Sequence, residues 1–136
     1  FSSLNPLMRV GDIIGEALEA HVSNDAEKKE LVDNLLEQVK LGSHCKKKYP
    51  HEFSGGEPQR ISIARTLAVS PKMIIADEPV SSLDVSIQAQ ILNLLSELRT
   101  KRELSYLFIS HDLSVVCHLC HRVAVMYLGK ITKHIR

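Results

Sequence analysis

The sequence predicts an α/β protein: a helical segment followed by part of a parallel sheet. Three observations carry that expectation. Up to about position 70, apolar residues recur at helical spacing, and from Pro71 onward short apolar runs alternate with helical stretches. The first of those runs, Met73-Ile74-Ile75-Ala76, stops at two adjacent carboxylates, Asp77 and Glu78, with Pro79 behind them. Strand, helix and strand in this order favour a parallel sheet with right-handed crossovers.

Each element has its own signal. Val10 to His21 places Ile13, Ile14, Ala17 and Leu18 on one helical face. Asn24 offers an N-cap, with Glu27 three residues on in the pattern of a capping box. The helix that follows carries Leu31, Leu35, Leu36 and Val39 on one stripe, and Gly42 is its expected stop. Residues 43–53 read as a loop containing Pro50. A third helix is expected from about Gly56 to Val69, with Ile61, Ala64, Leu67 and Ala68 inward. The buried parallel strand Met73 to Asp77 then leads through a turn, Pro79 to Ser82, into a long helix. Ile87, Ile91, Leu94, Leu95 and Leu98 mark the buried face of that helix. Ser105 to Ser110 is a second strand, followed by His111-Asp112 and a short helix to about His121. Val123 to Tyr127 and Lys130 to Ile135 read as strands joined by a tight turn at Leu128-Gly129-Lys130. The expected organisation is a helical part, 1–70, and the C-terminal part of an α/β core, 71–136.

Composition narrows the class of partner. A chain of 136 residues suits one domain or a large piece of one. With 44% hydrophobic and 24% charged residues it reads as an ordinary globular protein. A formal net charge of +1 gives no global field to recruit nucleic acid or an anionic membrane. Lys46-Lys47-Lys48 reads as a solvated loop. No apolar run approaches the roughly 18 residues needed to span a bilayer. Phe1-Ser2-Ser3-Leu4-Asn5-Pro6 has neither the basic region nor the apolar stretch of a signal peptide, and it reads like the middle of a longer chain. Three cysteines without such a signal point to a reducing cytoplasm and no disulfide framework.

The chemistry concentrates in a few places. At the carboxyl end of a parallel strand, one acid can hold a magnesium ion while its neighbour faces a water, which is equipment for hydrolysing a nucleoside triphosphate. Yet no G-x-x-x-x-G-K-S/T loop occurs in the chain to cradle the phosphates. Ser54-Gly55-Gly56 sits directly before the third helix, where free N–H groups and a positive dipole end suit a phosphate. Ser-Gly-Gly is also a common turn and helix entry. Cys117-His118-Leu119-Cys120-His121 matches a haem-attachment pattern and offers thiols for zinc, but the strand–helix–strand pattern already accounts for the segment. The only obvious further ligand pair, His44 and Cys45, is remote in sequence. Cys117 and Cys120 are therefore expected to be small buried residues.

The order of these motifs resembles the ATP-binding subunits of ABC transporters, over nearly the whole chain. Ser54-Gly55-Gly56-Glu57 resembles the family signature, Ile74-Ile75-Ala76-Asp77 Walker B, and Glu78 the catalytic glutamate. Ser82-Leu83-Asp84 resembles the D-loop and His111 the switch histidine. Within the family, Ser2-Ser3-Leu4-Asn5-Pro6, Tyr49-Pro50-His51-Glu52-Phe53, Asp84 to Gln90, Ile109 to Leu113 and Val125 to Gly129 are similar to the oligopeptide/dipeptide importer branch.

The resemblance implies a partial P-loop NTPase fold, with a helical signature subdomain and the C-terminal part of a RecA-like core. It implies that Asp77 binds Mg2+ through a water, and that Glu78 orients or deprotonates the attacking water, its proton affinity raised by a partly dry setting. It implies that His111 contacts the γ-phosphate. Ser54, Gly55, Gly56 and Glu57 would meet the ATP held by a second ATP-binding subunit, across an interface that Asp84 also serves. Permease subunits would carry the peptide, and this subunit would lie peripherally on the cytoplasmic face of the membrane. Three positions depart from the pattern. Glu57 replaces the usual glutamine and places a carboxylate toward phosphate, Pro58 replaces arginine, and His121 replaces aspartate. The Walker A and glutamine loops would fall upstream of Phe1. Two other expectations compete: a soluble ABC-type ATPase of DNA repair or translation, and an inert remnant.

Overall fold

The structure, a computed structural model, describes residues 4–135, so Ser2 and Ser3 of the importer-like N-terminal run lie outside the described residues. Three helices open the chain: α1 (Val10–Leu18), α2 (Asp25–Gln38) and α3 (Glu57–Ala68). Val10, Ile14 and Leu18 recur every four residues along α1 and are almost fully buried, as the spacing predicts. The helix stops at Leu18 rather than His21, because the N–H groups of His21 and Val22 both turn back to the Leu18 carbonyl at 2.9 Å. Asn24 caps α2 as expected, its Oδ1 accepting from Ala26 N–H at 2.9 Å.

The end of α2 differs from expectation. Lys40, not Gly42, takes the left-handed conformation (φ 60°). Leu41 N–H bonds the Leu36 carbonyl at 2.8 Å and Lys40 N–H the Glu37 carbonyl at 2.9 Å, which is the Schellman pattern. The following Leu41 is buried, and its packing holds a lysine where glycine is the usual choice. Residues 43–53, expected as plain loop, contain two 3-10 turns, Ser43–Lys47 and Pro50–Glu52. Lys46 there is not merely solvated: its Nζ lies 2.7 Å from Asp33 Oδ2 on α2.

Beyond α3 the chain alternates: β1 (Met73–Asp77), α4 (Val85–Arg102), β2 (Ser105–Ile109), α5 (Leu113–Leu119) and the hairpin β3 (Val123–Tyr127) and β4 (Lys130–Ile135). β1 and β2 pair in parallel, with Met73 opposite Ser105 and Asp77 opposite Ile109. The hairpin forms a separate antiparallel sheet. Its turn takes left-handed backbone at both Leu128 (φ 46°) and Gly129 (φ 75°), as a two-residue hairpin demands. One continuous core runs through Val10, Leu36, Ile61, Leu67, Ile91, Leu94 and Leu104.

β1 was expected to be buried, and it is buried on one face only. Ile74, Ala76, Tyr106 and Phe108 turn toward the core. Ile75 on the opposite face is 67% exposed and Leu107 48%. Two-faced apolar strands are the mark of a sheet covered on both sides, and here one of the two faces is bare.

Tyr106 links the sheet to α4: its hydroxyl donates to the Leu95 carbonyl at 3.1 Å. Burial pushes this phenol from its ordinary 10.0 up to about 12. A raised folded-state value adds stability below pH 10 that fades as the pH climbs toward 12. Tyr106→Phe should cost about 0.5–1.5 kcal/mol in urea unfolding at neutral pH, and the gap between variant and parent should shrink between pH 10 and 12.

Candidate functional site

The in-step pairing of β1 and β2 brings Asp77, Glu78 and His111 to one place. β1 ends at Asp77, level with Ile109 at the end of β2. The next residue, Glu78, has φ 44°, a left-handed conformation uncommon for a residue with a side chain. Three hydrogen bonds hold it there. Its N–H donates to the Ile109 carbonyl at 2.9 Å, and its own carbonyl accepts from Ser81 N–H at 3.3 Å and Ser81 Oγ at 3.1 Å. The turn is closed from α4, where Gln88 Nε2 donates to the Val80 carbonyl at 2.9 Å.

His111 stands two residues past β2, and its Nδ1 lies 2.9 Å from Glu78 Oε1. The chain beyond it is anchored, since Asp112 caps α5 by accepting from Ser114 N–H at 2.9 Å. Asp77, Glu78 and His111 therefore share the carboxyl ends of two neighbouring strands.

The pair is open to water: the side chain of His111 is 74% exposed and that of Glu78 49%. This corrects the expectation that a dry setting raises the proton affinity of Glu78. Its carboxyl is held below the usual carboxylate value, first by the hydrogen bond from His111 and then by the imidazole's charge. Two cavities, of about 430 and 410 Å3, are lined by residues such as Leu18, Leu35 and Arg102, or Leu4, Ile13 and Arg65. None of the predicted site residues lines either one.

The glycine loop is built separately. Gly55 takes the left-handed conformation (φ 58°) that turns the chain into α3. Gly56 also has a packing role that the sequence did not suggest. It is buried, and a Cβ there would lie 2.6 Å from Ile87 Cγ2 of α4. Its missing side chain lets two helices meet. Ser54 is exposed, and Pro58 sits in the first turn of α3 without disturbing it. Glu57 turns back: its Oε2 accepts from the Ser54 N–H at 3.3 Å.

Asp84 is the exposed N-cap residue of α4, one turn before the Ile87 that lies under Gly55 and Gly56. Among the described residues, no hydrogen bond or ion pair joins the Ser54–Glu57 loop to Asp77, Glu78 or His111. The site is thus two clusters, one at the strand ends and one at the glycine loop, with the start of α4 beside the latter. Ser81 and Gln88, neither of them a predicted site residue, hold the Glu78 turn. Their signal was weak: a serine and a glutamine flanking Asp84 are common in any helix entry.

No three His, Cys, Asp or Glu side chains among the described residues cluster to hold a metal ion. An exposed carboxylate such as Asp77 suits magnesium, which keeps several waters and takes its other ligands from phosphate. All three cysteines are free, with Cys45 buried in the core. Cys117 is exposed, against expectation, because α5 turns Val115, Val116 and Leu119 inward instead.

Residues 1–81 match the ABC transporter family, and the chain belongs to that family. It is 53% identical over 135 residues to the oligopeptide transport ATP-binding protein OppF of Bacillus subtilis, covering 98% of this chain and 44% of that protein. It is likewise 53% identical over 132 residues to the dipeptide transport ATP-binding protein DppF of Lactococcus lactis, covering 96% of this chain and 42% of that one. The chain thus spans less than half the length of these relatives.

The fold is that of solved ATP-binding cassettes. The dimeric post-hydrolysis state of MJ0796 bound to ADP and Pi superposes with TM-score 0.84 at 25% identity, over 100% of this chain and 60% of that one. CbiO1 from Clostridium perfringens, part of the transporter complex cbiONQ, gives 0.86 at 28% identity, over 97% of this chain and 52% of that one.

Two measurements probe the site. In His111→Ala, the Glu78 carboxyl resonance should titrate at higher pH than in the parent, nearer the ordinary glutamate value, because its main stabilising partner is gone. Gly56→Ala should destabilise the fold by about 1–3 kcal/mol through overpacking. Adding Ile87→Ala should recover part of that loss in urea unfolding, since it removes the methyl a new Cβ would strike.

Proposed function

We propose that this chain is the C-terminal part of the ATP-binding and hydrolysing subunit of an oligopeptide or dipeptide ABC importer. The observation that carries the reading is the 2.9 Å contact between Glu78 and His111 beside Asp77, at the ends of two parallel strands. Its relatives' names, all concerned with peptide transport, support the substrate class.

Asp77 is the magnesium ligand in this reading, acting through a water; the ion, when bound, neutralises phosphate charge. Glu78, whose carboxyl His111 holds below its ordinary value, is ionised at neutral pH and can orient a water and accept its proton in this reading. His111 keeps Nδ1 on Glu78 and presents Nε2 to the γ-phosphate. Donating from both ring nitrogens at once takes the charged imidazolium, which adds stabilisation where negative charge gathers.

The glycine loop, sharing no hydrogen bond with this cluster, serves a second nucleotide in our reading. That is the arrangement of two subunits sandwiching ATP, with Ser54, Gly55, Gly56 and Glu57 facing the partner's triphosphate and Asp84 beside them. The helical part, 1–70, faces permease subunits, and 71–136 belongs to the catalytic core. No helix among the described residues is long and apolar enough to cross a membrane. A peripheral place on the cytoplasmic face fits a subunit that leaves the crossing to permeases.

In the full-length subunit, Glu78→Gln should cut ATP hydrolysis by about 10²–10⁴-fold, the usual worth of a general base, while ATP binding by equilibrium dialysis stays within a few-fold. Undiminished hydrolysis would remove Glu78 from the mechanism. The 136-residue chain by itself, with no lysine-bearing phosphate loop in its sequence, should bind Mg-ATP only weakly in calorimetry. Tight binding there would refute the two-cluster account.

A further inference from the structure

The C-x-x-C pair at the end of α5 plays no part in the chemistry proposed above. We propose that Cys117 and Cys120 are a redox-active dithiol: a small-molecule disulfide oxidises them to an intramolecular disulfide, with Cys117 attacking first and Cys120 resolving. This activity is independent of ATP hydrolysis and uses none of the residues assigned to it.

The placement of the two thiols points to it. Cys117 lies in the last turn of α5, and Cys120 is its C-cap, with its N–H donating to the Val116 carbonyl at 2.9 Å. That bond keeps the thiols one turn apart, and helix residues three apart are neighbours, with Cβ atoms about 5–6 Å from each other. Their surroundings differ: Cys117 is exposed and Cys120 half-buried. Burial raises the Cys120 thiol, the nearby Arg99 guanidinium pulls it down, and charge on Cys117 raises it again. Arg99 also ties the end of α5 to α4, its Nη1 donating to the Leu119 carbonyl at 2.8 Å. Among the described residues, no third metal-ligating side chain clusters with the pair, so its chemistry is that of two thiols.

An exposed thiol beside a shielded one divides the labour of thiol–disulfide exchange. The Cys117 thiolate attacks one sulfur of the incoming disulfide and breaks its S–S bond. A mixed disulfide forms, and the other half leaves as a thiolate that takes up a proton. Cys120, deprotonated, then attacks the Cys117 sulfur, and the second half leaves in the same way. Two protein thiols lose two electrons and two protons, and the small disulfide becomes two thiols. Closure strains the turn, because a disulfide holds its Cβ atoms about 3.5–4.5 Å apart. The pair must therefore draw in by about 1–2 Å. Cys120 can supply that movement, since its backbone has already left the helix (φ −97°, ψ 139°). A strained bridge is readily reduced, which suits a switch rather than a structural staple.

The test treats the 136-residue chain, Cys117→Ser, Cys120→Ser and Cys120→Ala with glutathione disulfide. Free thiols are then alkylated, and mass spectrometry follows the peptide that carries both positions. Urea unfolding verifies that each variant is folded. The parent should lose two hydrogens in this peptide, carry glutathione only transiently, and recover its thiols in dithiothreitol. Cys120→Ser and Cys120→Ala should accumulate a glutathione adduct at Cys117, several-fold faster than Cys117→Ser gains one at Cys120. In urea the rates of the serine variants should converge, because burial no longer separates the two thiols. Half-oxidation of the folded parent should need a glutathione disulfide-to-thiol ratio about tenfold higher than the urea-unfolded chain does.

A parent that keeps the adduct as Cys120→Ser does, or that does not react at all, would overturn the dithiol. Equal rates for the two folded serine variants would overturn the division of roles. A folded chain no harder to oxidise than the unfolded one would overturn the strained, reversible closure.

Discussion

Because Met73–Asp77 and Ser105–Ile109 run parallel and in step, their carboxyl ends finish level with one another, and the placement of Asp77, Glu78 and His111 follows from that pairing. A slip of one residue would turn Ile74 and Ala76 away from the core and carry Ile75 into it. It would also pull the Ile109 carbonyl away from the Glu78 N–H that it now receives at 2.9 Å. That bond matters because Glu78 holds an unfavourable left-handed backbone. Such a conformation costs of order 1–3 kcal/mol and persists only where its surroundings over-determine it. The sheet edge, Ser81 and Gln88 together supply that determination, and the reward is a carboxylate aimed at His111 rather than along the strand.

The glycine loop depends on a different constraint, the closeness of α3 and α4. Gly56 permits the contact with Ile87, and Ile87 lies one turn beyond Asp84. A shift of α4 that moved Asp84 would therefore press on Gly56 and on the start of α3. The same helix holds the Glu78 turn through Gln88. One rigid element thus touches both clusters, which share no hydrogen bond of their own. Coupling between them can pass through packed side chains without any continuous polar relay.

Much of this was legible in the sequence. Sequence pattern located α3, β1, β2 and the hairpin to within a residue or two, and periodicity marked the inward face of α4. Motif order picked out Asp77, Glu78, His111 and the glycines. What escaped were properties set by neighbours distant in sequence. Lys40 ends α2 because Leu41 finds a buried place, and no local rule says so. Gly56 read as a glycine for a ligand, yet its Cβ is excluded by Ile87, thirty-one positions away. Cys117 read as buried because small thiols are usually so, but a seven-residue helix has room for only one inward face. The proton affinity of Glu78 was misjudged for the same reason: the sequence showed the carboxylate and the histidine, but not how much water reaches them.

That last point bears on how the site works. Burial and a cationic neighbour push a carboxyl in opposite directions, and here the neighbour prevails because the side chain of Glu78 is about half exposed. The balance is therefore not fixed by this chain. Ile75, Leu107 and Ile109, all bare on the sheet face that carries Asp77, have the apolar character of a covered strand. In the proposed importer subunit, polypeptide covering that face would bring low-dielectric material up to the strand ends, and a bound nucleotide would bring phosphate charge. Desolvation and phosphate charge act to raise a carboxyl's proton affinity, whereas a drier setting also strengthens the opposing pull of an imidazolium. Excluding water from the strand ends raises the carboxyl's proton affinity while a nearby imidazolium lowers it, so in the reading proposed above the basicity of Glu78 is set by how far water is kept from the Glu78–His111 contact.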